Sequence, residues 1–337
     1  MKYFAMLAMI LVTASSAPAA PPTLEELSAQ VFINATIVWQ APTNHLPTSF
    51  WVYQRALPHV FSPTVISNAI VLGSLQSKGF PPPSTNNFYI WEDKGPHYPG
   101  PIPSIFGIIP GDANIYYSMP NYAMGSEKDI PTDETIVKQA WKYAAQLGLD
   151  PAKLVQKKIY THWCDADQNG HATNACGRGV FLARQLDGIA FFSFNDEGEG
   201  AEGFSIELGS HGQIRSFSLR WSKVEHYISQ PIASPQEIIQ CIKAHKIIVP
   251  PNVEEEDYFS KLKKLASVKK LTITKITPYY GEGVFGEVPT NDVPCKFATP
   301  FAELEAVADF GSSNGVVRFV SPIISSEVTR LLGNKTK

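Results

Sequence analysis

The sequence predicts an α+β protein: an antiparallel meander sheet with a few packed helices, preceded by a proline-rich irregular region. Three observations predict this class. An amphipathic helical pattern covers residues 132–148, and alternation of apolar and polar residues between tight turns follows from residue 179. A second helix and further strands come after residue 234. The order of helix, meander, helix and strands indicates α+β rather than a parallel α/β sheet.

The N-terminus has the features of a secretory signal peptide. Lys2 precedes an apolar run over residues 3–14, and Ala17-Pro18-Ala19 supplies the small residues of a cleavage site. Residues 1–20 are therefore predicted to be removed. No later stretch approaches the roughly 18 uninterrupted apolar residues of a transmembrane helix. We expect a secreted or periplasmic protein without a transmembrane segment in the mature chain.

Charge and cysteine content narrow the expected partners. The 337 residues include 28 basic and 31 acidic ones, a net charge of -3, so neither nucleic acid nor an anionic membrane is predicted as a partner. Four cysteines in an oxidising compartment favour disulfides, and three pairings are open. We favour Cys164 with Cys176, because the loop between them is short and rich in turn residues. This pairing leaves Cys241 with Cys295.

Residues 21–131 are rich in proline and aromatic side chains. Because proline fixes φ and cannot donate to a β-ladder, the region is predicted to be irregular chain over a core, with short strands at 37–39 and 49–53. The composition changes near Pro131, the predicted boundary with an α+β region at 132–337. Asn34 and Asn334 begin glycosylation sequons, which matter only in a eukaryotic source.

The clearest helix follows Thr132, with acids in its first turn and Gly148 beyond its last. Its apolar face consists of Ile136, Ala140, Trp141, Ala144 and Leu147. A second short helix is predicted from Asp150 as N-cap and Pro151 at the first helical position.

Strands are predicted on both sides of Asp187-Gly188, a dipeptide typical of a two-residue hairpin turn. The next pair, 204–208 and 215–221, alternates apolar and polar side chains around the turn GSHG. Trp221 ends this pair on the apolar side and is expected to lie in the core. Together these strands form a meander with one buried face.

Ser234 and Glu237 form a capping box at the start of the helix EIIQCIKAHK. A charged helix, EEEDYFSKLKKLA, precedes the strand LTITKITPYY, and further strands are expected at 297–310 and 316–320.

The stretch CDADQNGHATNAC, from Cys164 to Cys176, resembles the first half of a calcium-binding loop. Asp165, Asp167 and Asn169 occupy its first, third and fifth positions, but Cys176 stands where a bidentate glutamate should close the site. We favour a disulfide-stapled polar turn. Weak calcium binding by the three oxygen-bearing residues is the alternative.

Other metal and cofactor patterns are weaker. Zinc could have four sulfur and nitrogen ligands in this stretch: His162, Cys164, His171 and Cys176. Their spacing matches no standard zinc site, and export favours oxidation of the thiols. The two GxGxxG stretches, 198–203 and 281–286, lack the following helix that would hold a phosphate, so both are predicted to be turns.

The acidic loop of Asp196, Glu197, Glu199 and Glu202 offers carboxylates for glycoside cleavage. Carboxylates in a glycine-rich loop lack the burial that drives their pKa values apart, so a solvated loop is expected. The chain contains neither a GxSxG elbow nor an HExxH motif. No catalytic or cofactor-binding residue is predicted.

Residues 132–320 resemble the PepSY-like modules of exported bacterial proteins, including the YycH/YycI type of regulator. The resemblance lies in the helix ending in Leu-Gly-Leu-Asp, the strand pair VFLARQLDGIAFF, and FSIELGSHGQIRSFSLRWSKV. The capped helix at Ser234 and the strand ending in Tyr279-Tyr280 repeat the pattern, which suggests two modules, 132–248 and 249–325. The resemblance implies a small α+β module that binds or restrains a protein partner, without catalysis.

Two functional hypotheses follow. The first is a non-enzymatic exported binding or regulatory protein, whose partner is a protein or an extracellular ligand. The second is an extracellular hydrolase acting on carbohydrate, with Trp163, Trp221 and the acidic loop around a cleft. Paired carboxylates in one pocket would favour the hydrolase, and a shallow apolar groove would favour the binding protein.

Overall fold

The computed structural model describes residues 23–73, 89–93, 104–119, 129–166, 172–192, 201–250, 255–282 and 297–324. This part of the chain contains two sheets and five helices, which confirms the α+β class. The helices are α1 (Leu24–Ser28), α2 (Pro63–Leu72), α3 (Asp133–Gln146), α4 (Pro235–Lys243) and α5 (Glu255–Ala266). None of these helices combines the length and apolar character needed to cross a bilayer.

The strands before α3 are β1 (Thr36–Trp39), β2 (Ser49–Ala56), β3 (Tyr89–Asp93), β4 (Ser104–Ile109) and β5 (Asn114–Ser118). Those between α3 and α4 are β6 (Leu154–Ala166), β7 (Ala172–Leu186), β8 (Ile189–Ala190), β9 (Gly203–Leu208), β10 (Ile214–Arg220) and β11 (Lys223–Pro231). The last three are β12 (Lys270–Glu282), β13 (Phe297–Asp309) and β14 (Asn314–Pro322).

The first sheet has six strands in the order β1-β12-β13-β2-β11, and β14 pairs with β13. β1 is parallel to β12, whereas the other pairs are antiparallel. Helices α1, α4 and α5 cover one face, where Leu27, Ile242 and Leu265 pack against Ile273 and Leu304 of the strands. Burial of this apolar surface is the main force that holds the layer together.

The second sheet has eight strands in the order β3-β4-β5-β10-β9-β7-β6, and β8 pairs with β7. Helices α2 and α3 cover one face, where Ile70, Ile136 and Ala140 pack against Ile206 and Phe217. The two sheets join through a third apolar cluster. Tyr53 and Tyr280 of the first sheet contact residues of β7 in the second, such as Phe181 and Ala183.

Several predicted elements are confirmed. The Thr132 hydroxyl caps α3 by accepting a hydrogen bond from Thr135 N at 3.3 Å. The capping box of Ser234 and Glu237 starts α4. The turn between β7 and β8 has positive φ at Asp187 (50°) and Gly188 (77°), as a type I′ hairpin requires. The helix expected after Asp150 is a single 3₁₀ turn.

The proline-rich region contributes more regular structure than its composition suggests. It supplies β1 to β5, each of four to eight residues, and these strands belong to both sheets. Strand pairing therefore crosses the predicted boundary at Pro131: β2 pairs with β11, and β5 pairs with β10. The predicted signal peptide, residues 1–20, and Asn334 lie outside the described residues.

Candidate functional site

A groove of about 400 Å³ lies between α5 and the strand β14 of the first sheet. Its lining consists of Lys261, Lys264, Leu265, Phe310, Gly315, Val316, Val317 and Arg318. The volume is within the range of small ligand sites in proteins. Its residues come from two short sequence segments, 261–265 and 310–318, which the fold brings side by side.

The helical side of the groove carries two lysines above an apolar floor. Lys261, Lys264 and Leu265 share one face of α5, because residues three and four apart are neighbours on a helix. Leu265 is buried in the core, and Lys264 is exposed. Lys264 Nζ lies 4.8 Å from the centroid of the Phe310 ring, within the range of a cation–π interaction.

The two lysines differ in solvent exposure: Lys261 is partly buried, whereas Lys264 is exposed. Lys261 Nζ donates to the Pro250 carbonyl at 3.1 Å, and burial lowers the pKa of this lysine below its usual range. Among the side chains that the structure describes, which do not include those of residues 255–257, neither Lys261 nor Lys264 forms a salt bridge with an acid. An anion entering the groove would therefore meet two ammonium groups that no described carboxylate neutralises.

The strand side of the groove is open because of a glycine. A Cβ at Gly315 would lie 3.3 Å from Cε2 of Phe310, so a side chain there would project into the groove. The β13–β14 turn ends with Phe310 N donating to Ser313 O at 2.9 Å, which sets the Phe310 ring beside Gly315. At the rim, Arg318 donates to Glu305 Oε2 from Nε and Nη2 at 3.0 and 2.9 Å.

The last residue of the acidic loop, Glu202, is not solvated as the sequence predicted. Glu202 is completely buried and forms salt bridges with Arg55 Nε at 3.1 Å and with Arg184 Nη1. The Ser222 hydroxyl also contacts this carboxylate. Glu202 was mispredicted because a glutamate between glycines gives no local sign of arginines that lie far away in sequence. The other three acids, at 196, 197 and 199, lie outside the described residues.

A second polar group lies at the junction of the sheets. The Tyr53 hydroxyl donates to Asp187 Oδ2 and lies 3.2 Å from His226 Nε2. Burial and the bond to Asp187 raise the pKa of Tyr53, so it stays a neutral donor. The His226 ring packs against Trp51 at a tilt of 34°, with centroids 4.5 Å apart. Histidine 226 thus has partners that the sequence did not reveal.

The two tryptophans of the hydrolase hypothesis do not lie together. Trp163 is on β6 with 49% of its surface exposed, whereas Trp221 follows β10. Strands β9 and β7 separate β10 from β6. Trp221 packs against the core of the second sheet, and its ring lies 4.5 Å from the guanidinium carbon of Arg184. These contacts make Trp221 part of the packing of the second sheet rather than an open surface on which a sugar could stack.

The cysteine predictions have different outcomes. Cys241 is buried in α4 with a free thiol, so the predicted Cys241–Cys295 bridge is wrong for the structure, and Cys295 lies outside the described residues. Cys241 is one of the three buried residues of α4, with Ile238 and Ile242, and behaves there as a small apolar residue. Cys164 and Cys176 lie on the paired strands β6 and β7, near each other in register. Their disulfide stays a prediction.

Of the three residues predicted to bind calcium, only Asp165 belongs to the described part of the chain. The backbone of Asp165 pairs with Asn174, whereas Asp167 and Asn169 lie outside the described residues. Within the described part of the chain, no three histidine, cysteine, aspartate or glutamate side chains cluster as metal ligands would. Weak calcium binding at this loop stays a prediction.

Comparison with protein families and with curated sequences gives no relative. No protein-family model matches the chain, and no curated protein sequence matches it significantly. The resemblance to PepSY-like modules therefore stays a prediction. The groove itself was missed at the sequence level, although the LysxxLysLeu spacing in the predicted helix was a usable signal for one of its walls.

Proposed function

We propose that this chain is a non-enzymatic exported binding protein and that the groove between α5 and β14 is its ligand site. The observation that carries the proposal is the chemistry of the groove. Two lysines without a described acidic partner stand over a floor of Leu265, Phe310 and Val317. A site of this kind suits a ligand that has an anionic group next to an apolar body.

The alternative of a carbohydrate hydrolase has less support. Glycoside cleavage needs one carboxylic acid and one carboxylate free to act on the same bond. Glu202, the described member of the acidic loop, is held between two arginines and shielded from solvent. An acid in that position cannot reach a sugar.

The proposal is tested with 8-anilinonaphthalene-1-sulfonate, a fluorescent anion with an apolar ring system. We expect the wild-type protein to bind one equivalent with a blue-shifted, enhanced emission. Lys264→Glu should weaken binding about fivefold to tenfold, because it replaces an attraction of the size of an exposed ion pair with a repulsion. Gly315→Leu should also weaken binding, since the new side chain would fill the groove beside Phe310.

The matched control is Lys138→Glu, which makes the same change in net charge at an exposed position of α3, on the other sheet. It should leave dye binding within about twofold of wild type. Near-ultraviolet circular dichroism would verify that each variant is folded. Equal dye affinity in wild type, Lys264→Glu and Gly315→Leu would show that the groove is not the binding site.

A further inference from the structure

The groove follows the open edge of a strand. Four consecutive residues of β14, from Gly315 to Arg318, line it. Successive side chains of a strand point to opposite faces of the sheet. A groove lined by both Val316 and Val317 must therefore run along the edge of the strand rather than over one face.

The backbone of β14 presents hydrogen-bonding groups to this groove. Val320 and Ile248 exchange two bonds, Ile248 N to Val320 O at 3.0 Å and Val320 N to Ile248 O at 2.8 Å. The N–H and C=O groups of Val320 thus point to the outer edge. Because the direction alternates along a strand, those of Arg318 and Val316 point there as well. The register with β13 is unbroken from Asn314 to Pro322, so the alternation holds throughout.

The chain's own pairing at this edge stops at Ile248. In antiparallel register, Pro250 would stand opposite Arg318, and proline has no N–H to donate. The Pro250 carbonyl instead accepts from Lys261 Nζ. Among the described residues no strand pairs with the edge at Val316 or Arg318. The N–H and C=O groups of Val316 and Arg318 therefore face the groove, and their spacing along the strand matches that of the backbone of an added extended segment.

From this geometry we infer that the ligand is an extended polypeptide segment that adds to β14 as a further strand and places an acidic side chain between Lys261 and Lys264. The identity of the ligand rests on the proposed function of the groove, because both concern the same site. Strand addition of this kind takes affinity from backbone hydrogen bonds and specificity from alternate side chains.

The side-chain pattern of the partner follows from the faces of β14. Gly315 and Val317 lie on the helix side, because Val317 packs against the core that α5 covers. A partner residue opposite Val317 would point its side chain toward the two lysines, where an acid is favoured. Its neighbours two residues away on each side would point the same way, toward Leu265 and Phe310, where apolar side chains are favoured.

The probe is the fluorescein-labelled peptide SLTETLS with an amidated C-terminus, whose leucines and central glutamate share one face in the extended state. Binding is measured by fluorescence anisotropy. The decisive variant is Val316→Pro, which removes one outward N–H but no bond to β13. The matched control is Val316→Ala, which shortens the same exposed side chain and keeps the N–H.

We expect Val316→Pro to weaken peptide binding about fivefold or more, the effect of at least one lost net hydrogen bond, while Val316→Ala stays within about twofold. Near-ultraviolet circular dichroism would verify that both variants are folded, and dye binding by the wild type shows that the groove is accessible. SLTKTLS, with lysine in place of the central glutamate, should bind more weakly than SLTETLS.

Three results would overturn strand addition while leaving the groove as a ligand site. They are dye binding without peptide binding by the wild type, an unchanged peptide affinity in Val316→Pro, and equal losses in Val316→Pro and Val316→Ala. Failure of the groove itself is a different result, in which dye affinity does not respond to Lys264→Glu or Gly315→Leu.

Discussion

The salt-bridge network at the sheet junction should be the most sensitive electrostatic point of the fold. Glu202 is the common partner of Arg55 and Arg184, and the three side chains are 0%, 1% and 7% exposed. Glu202→Gln keeps the shape of the side chain but removes its charge. Two buried guanidinium groups would then lie beside a neutral amide instead of the carboxylate that they share.

The expected cost follows from this burial. Removing one partner of a buried ion pair costs about 3 to 5 kcal/mol, because the remaining charge is left uncompensated. At roughly 2 to 4 °C in Tm for each kcal/mol, the variant should melt roughly 6 to 20 °C lower. The free energy of unfolding is measured by urea titration with linear extrapolation.

The control is Glu305→Gln, which removes a glutamate of β13 that pairs with Arg318 near the surface of the first sheet. Glu305 and Arg318 are 30% and 64% exposed, so their pair should contribute less than about 1 kcal/mol. A second arm replaces the whole network, with Arg55→Met, Arg184→Met and Glu202→Leu combined. This triple variant should be more stable than Glu202→Gln, because no buried charge is left unpaired. Equal, small losses in Glu202→Gln and Glu305→Gln would refute the reasoning.

Three further predictions concern single residues. Gly188→Ala should lower the free energy of unfolding by about 1 kcal/mol, because φ is 77° there and an L-residue is strained in that region; an unchanged urea midpoint would contradict this. The Cys241 thiol should react with a disulfide reagent only on unfolding, since it is buried and burial raises its pKa; rapid labelling of the native protein would count against the packing of α4. Ser234 holds the pKa of Glu237 below its usual 4.5 by donating from its N–H and hydroxyl. The stability that Glu237 contributes should thus be complete above about pH 4.5 and be lost as pH falls through the lower, folded value. The difference in stability between wild type and Glu237→Gln should therefore shrink toward pH 3, and a constant difference would contradict the capping interaction.

Local elements could be predicted from the sequence because their causes are local. The hydroxyl of Thr132 and the pair Ser234 and Glu237 each satisfy N–H groups within three residues along the chain. The turn at Asp187-Gly188 needs positive φ at two adjacent positions, which those residue types tolerate. Period-two alternation likewise predicted β9 and β10, since it depends only on which side chains share a face.

The long-range arrangement was decided by tertiary structure. Nothing near Thr36 in sequence indicates that β1 pairs in parallel with β12, more than 200 residues later. Glu202 looks like a loop acid until Arg55 of β2 and Arg184 of β7 meet it at the sheet junction. The groove depends on α5 lying beside an edge of β14 with which, in the described part of the chain, no strand pairs at Val316 or Arg318. Composition and periodicity indicate which side chains of a helix or strand are buried. They do not indicate which distant segment packs against those side chains, because that is set by the packing of the whole core.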